Sequence, residues 1–94
     1  MHIVTKESAE KVAISGLQYL AANDDLLMRF SSVTGILVND IREQASQPHF
    51  FVGVLDFFLS HEPDLLAWTE SEQINPEHII SARQALSPED ISGF

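Results

Sequence analysis

Pro48-His49-Phe50-Phe51-Val52-Gly53-Val54-Leu55-Asp56-Phe57-Phe58-Leu59-Ser60-His61, residues 48–61, is the stretch on which the fold turns. At 100° per residue its phenylalanines, valines and leucines cover nearly the whole circumference of a helix, and a helix apolar on almost every side sits at the centre of a domain. What stays polar or small is one narrow edge, His49, Gly53, Asp56 and Ser60, spaced four, three and four apart. Pro48 suits a first helical position, where its missing amide had no partner. Glu62-Pro63 closes this helix and opens the next.

Working outward, Lys6 to about Ala22 reads as an amphipathic helix behind Thr5 as N-cap. Glu7, Lys11, Ser15 and Gln18 fall on one stripe; Ala9, Val12, Ala13, Gly16, Leu17 and Leu20 fall on the other. Gly16 marks a close helix crossing. Asn23 or Asp24 is positioned to cap a second helix through about Ser32, with Leu26, Leu27 and Phe30 inward, and Thr34-Gly35 breaks it. Asn39 or Asp40 starts a short third helix to about Ser46. Beyond the central stretch, Leu65, Leu66 and Trp68 mark a fifth helix, and Asn75-Pro76-Glu77 opens a sixth carrying Ile79, Ala82 and Leu86. Ser87-Pro88-Glu89-Asp90 reads as one more cap and turn. No β-alternation runs long enough for a sheet, and there is no repeat or linker.

Helices this short do not stand alone in water and must pack on a common core. The expected fold is all-α: a compact orthogonal bundle of about five to six short helices around the apolar helix at about 48–61. Its 94 residues form a single domain, with loosely ordered ends at 1–4 and 88–94.

Hydrophobic residues make up 45% of the chain and charged ones 20%, a balance that supports a core. There is no cysteine, which excludes disulfides, thiolate zinc sites and thiol nucleophiles. No run approaches the ~18 apolar residues of a membrane span and no leader pattern is present, so a cytoplasmic protein is expected. The net charge is -9 and uneven: residues 1–55 carry six acids against four bases, whereas residues 56–94 carry eight acids against Arg83 alone. Such a surface repels phosphates and anionic lipids, so neither nucleic acid nor membrane is an expected partner.

Leu17 to Ala22, Leu26, Phe30, Thr34-Gly35, Ile41-Arg42, Pro48-x-Phe50 running into Gly53-Val54-Leu55-Asp56-Phe57, and His61-Glu62-Pro63-x-Leu65-Leu66 form a pattern over about Ala9 to Leu86. The pattern resembles a family of small alphaproteobacterial proteins of unknown function, domain-of-unknown-function family 3572. Its most specific part is the Gly53–Leu66 block. Val38 departs from the family pattern, in which a proline tends to start the third helix, and this bears on that helix's edge. The resemblance implies a bacterial, helical, single-domain protein and carries over no activity, cofactor or site residue.

Two constellations are candidates for function. In the His49, Asp56 and Ser60 stripe a histidine and a carboxylate lie two turns apart, with Gly53 opening space between them, so a shared metal or proton is conceivable in chemical terms. Two ligands about 10 Å apart along a helix need help from other helices to reach one metal. The favoured reading is therefore a wet edge, with Asp56 capping a neighbouring helix or pairing with Arg42. The other candidate is Trp68 with Asp64, Glu70 and Glu72, an aromatic anchor in an acidic rim, set against a plain core role for the tryptophan.

His61-Glu62 lacks the second histidine of a zinc-protease helix, since position 65 is leucine; His61 is expected on the last carbonyls of its helix and Glu62 at the start of the next. Gly35 is expected as a left-handed helix end, and not as a phosphate-binding turn. The functional expectation is a non-enzymatic protein-interaction module or small adaptor with an acidic C-terminal half and an unidentified protein partner. No cofactor is assigned. The alternative is a small enzyme or metal-binding protein using His49 and Asp56.

Overall fold

The computed structural model describes residues 5–45 and 47–86. The expectations for the two ends, for the turn at 87–90 and for Ser46 lie outside these residues. The elements are α1 (Lys6–Ala21), α2 (Asp24–Thr34), a 3-10 turn (Val38–Asp40), α3 (Ile41–Gln44), α4 (Pro48–Leu59), α5 (Glu62–Glu72) and α6 (Pro76–Leu86). There is no strand among the described residues, and the fold is the expected all-α bundle.

Local chemistry sets most of the boundaries. Thr5 caps α1, its hydroxyl oxygen accepting from the Ser8 amide at 3.0 Å. α2 runs two residues further than its sequence suggests and ends where Gly35 turns left-handed at φ 78°, its amide donating to the Ser31 carbonyl. Thr34 allows the extra turn because its hydroxyl donates to the Phe30 carbonyl and accepts the Ile36 amide. Pro48 takes the first position of α4. Asn75 opens α6, accepting from the Glu77 amide at 2.9 Å.

Three expectations at element edges need correction. Asn23 precedes α2 without capping it; its side-chain amide instead donates back to the Tyr19 carbonyl at 2.8 Å, fastening the end of α1. The third helix begins as a 3-10 turn at Val38 and receives no side-chain cap from Asn39 or Asp40. α4 stops at Leu59, two residues early, because the Ser60 and His61 amides close the last turn on the Asp56 and Phe58 carbonyls.

The core is built on α4, whose Phe50, Val54, Leu55, Phe57 and Phe58 are buried and which touches α1, α2, α5 and α6. An aromatic chain runs through it. The Phe30 ring meets Phe50 and Phe57 edge-on at 5.8 and 5.3 Å, Phe57 meets Phe58 at 5.6 Å, and Phe58 leans on Trp68 at 4.6 Å. The broadest contact in the bundle nevertheless joins α1 to α6, and not either of them to α4. Small residues suit this: Ala9 and Ala13 lie on the buried face of α1, Ile79 and Ala82 on that of α6, while Gly16 on the same helix as the alanines is covered by Trp68.

Candidate functional site

The stripe on α4 is solvent-facing. His49 and Ser60 are exposed, Gly53 and Asp56 are half-buried, and a Cβ placed on Gly53 would meet nothing within 4 Å. The Asp56 carboxylate is held by Arg83 of α6, whose Nε donates to Oδ1 at 2.7 Å and Nη2 to Oδ2 at 3.1 Å. This fork-on-carboxylate geometry replaces the expected pairing with Arg42, which is exposed on α3. The cause is topological: α6 packs along α4, so Arg83, not Arg42, is brought beside Asp56. With both oxygens engaged, Asp56 is a cross-brace between helices. Among the described residues no three histidine, aspartate or glutamate side chains converge to hold a metal ion.

His61 takes the role its position implies. Its Nδ1 lies 2.8 Å from the Phe57 carbonyl in the last turn of α4, and its ring lies against the Phe57 ring at 4.7 Å. Glu62 falls in the first turn of α5.

The second constellation separates into a buried half and an exposed half. Trp68 is fully buried, stacked on Phe58 and pressed against Gly16, with its indole N–H donating to the Ser15 hydroxyl at 3.3 Å. Trp68 is therefore a core residue and no surface anchor, because the side of α5 that carries it also carries the buried Leu65 and Thr69. Asp64 is half-buried in an ion pair with Arg29, fastening α5 to α2. Glu70 and Glu72 remain in solvent.

The opposite side of α5 carries Leu66, which the sequence marks as a helix residue beside Leu65 and Trp68 but not as part of a site. Leu66 is 45% exposed, and Glu62 and Glu70 stand four residues before and after it on the same stripe, both exposed. The signal was available in that spacing. Leu65 and Leu66 point about 100° apart, and the 62–66–70 period puts the second leucine with the acids. From Glu62 to Glu77 the chain carries five acids and no base, and of these only Asp64 is half-buried. The site is an acidic face with one apolar side chain in it.

The family described as "Protein of unknown function (DUF3572)" matches residues 6–89. No curated protein and no solved structure matches the chain.

Proposed function

We propose that this chain, which belongs to the DUF3572 family of proteins of unknown function, is a non-enzymatic protein-interaction module that docks a basic protein partner on α5. The observation that carries this reading is the exposed Glu62–Leu66–Glu70 stripe, extended by Glu72 and Glu77. Carboxylates in solvent steer an oppositely charged partner, and an exposed leucine among them offers the apolar contact that gives a docked complex its lifetime. Trp68 supports the face from beneath without reaching it. The engagement of Asp56 by Arg83 weighs against a reactive site on α4. No helix among the described residues is long and apolar enough to cross a membrane, which is compatible with the cytoplasmic location we propose.

The test is capture from lysate of the source organism on the tagged chain, run beside a folded Leu66→Ser/Glu70→Lys variant and with a salt wash. A protein retained by the parent, released by salt and not captured by the variant supports the reading. Equal capture by both, or none by a folded parent, overturns it.

A further inference from the structure

The stretch between α2 and α4 is fastened differently from the rest of the bundle. Each of α1, α2, α4, α5 and α6 buries at least two residues, whereas from Leu37 to Ala45 no residue is fully buried. Hydrogen bonds within the stretch close its own turns: the Asp40 amide donates to the Leu37 carbonyl and the Ala45 amide to the Ile41 carbonyl, both at 2.8 Å. The 3-10 turn packs on α2 and α3, and neither it nor α3 meets α1, α4, α5 or α6 broadly. Ile41 and Ala45, both half-buried, are the apolar side chains that the stretch lays against the core. Its two ends are extended joints, Leu37 at φ -68° and ψ 143° and Gln47 at φ -92° and ψ 133°. Beyond each joint the chain is held by groups outside the stretch. Ser31 Oγ donates to the Ile36 carbonyl at 2.6 Å, the Ile36 amide donates to Thr34 Oγ1 at 3.2 Å, and Pro48 starts α4 with no amide to satisfy.

We propose that residues 38–45 form a strap that opens and closes on a bundle that stays folded, with Leu37 and Gln47 as its joints. Opening gives up the partial burial of Ile41 and Ala45, far less apolar surface than removal of any longer helix would expose. It takes nothing from the aromatic chain of Phe30, Phe50, Phe57, Phe58 and Trp68, whose members sit on α2, α4 and α5. What it bares is the apolar contact beneath Ile41 and Ala45, a surface that the closed form covers. The strap uses no residue of the acidic face and is independent of that reading.

Two measurements on the full chain test it. In native-state hydrogen exchange, the Asp40 and Ala45 amides are expected to exchange about a hundredfold or more faster than those of Val54 and Leu55 in α4. They should also keep their rate in urea below the unfolding transition, since a short opening exposes little surface. In limited digestion, trypsin is expected to cut after Arg42, the one basic residue of the strap, before it cuts after Arg29 in α2 or Arg83 in α6. Ile41→Ala removes the larger apolar tether and speeds both readouts by about tenfold. Exchange at Asp40 and Ala45 as slow and as urea-dependent as in α4, or cleavage after Arg42 no faster than after Arg29 and Arg83, overturns the proposal.

Discussion

The six-membered ring of Trp68 stands where a side chain on Gly16 would begin: a Cβ at position 16 would lie 3.0 Å from both Cζ2 and Cη2 of the indole and 3.3 Å from Phe58 Cε2. Gly16→Ala therefore sets two effects against each other. Alanine gains about 1 kcal/mol in helix propensity, and crowding a packed core costs about 1–3 kcal/mol. Both aromatic rings are fully buried, and a 3.0 Å approach is closer than side-chain carbons ordinarily make, so crowding is expected to win. A net loss of about 1 kcal/mol is expected in urea denaturation, and a gain in stability would show that the indole can shift.

Gly53→Ala supplies the opposite sign on the neighbouring helix. Open space surrounds that position, so only the propensity gain remains, and a stabilisation of up to about 1 kcal/mol is expected from the same denaturation experiment.

Gln73 ends α5 at φ 56°, the one non-glycine residue with positive φ among those described. Left-handed backbone costs a residue with a Cβ about 1–2 kcal/mol, part of which glycine returns through its freer unfolded chain. Gln73→Gly should raise the melting temperature, corresponding to about 0.5–1 kcal/mol, and a lowered melting point would count against the strain.

Trp68 is the sole tryptophan of the chain. Buried against Phe58, it should emit at short wavelength in the native protein and shift to the red on unfolding. Trp68→Ala removes the largest side chain of the core, at a cost of about 3–5 kcal/mol. That is a large share of a small domain's stability, so a variant largely unfolded at room temperature is expected by circular dichroism. A well-folded Trp68→Ala protein would contradict its place in the core.

Asp56→Asn breaks the fork to Arg83. Because the aspartate is half-exposed, the expected loss is only about 1 kcal/mol, and it should shrink as salt is raised. Added divalent cations should leave the melting temperature of parent and variant unchanged. A metal-dependent rise in the parent alone would revive the reading of His49 and Asp56 as ligands.

Helix identity was legible in the sequence wherever apolar period and cap chemistry agreed, as at Thr5, Gly35, Pro48 and Asn75. It was less legible where a polar side chain had a second choice. Asn23 chose the carbonyl behind it over the amides ahead, and the sequence holds nothing to decide between them. The partner of Asp56 depended on which helix lies beside α4, a question of topology that periodicity does not address. Trp68 was legible only as a pair of alternatives, because its burial also depends on Ser15 and Gly16 of α1, which are distant in the chain. Leu66 was legible from spacing, but its neighbour Trp68, the larger and more conspicuous side chain, drew the reading to the wrong side of the helix.

The broad seam between α1 and α6 also governs the order of events during synthesis. Of the described helices α1 is made first and has its broadest partner in α6, made last, so part of the buried face at Ala9 and Ala13 stays bare until residues 76–86 follow. The bundle closes late, once nearly the whole matched region is free of the exit tunnel. A nascent chain stalled before Pro76 would present that alanine-lined groove to chaperones and proteases as unfolded protein.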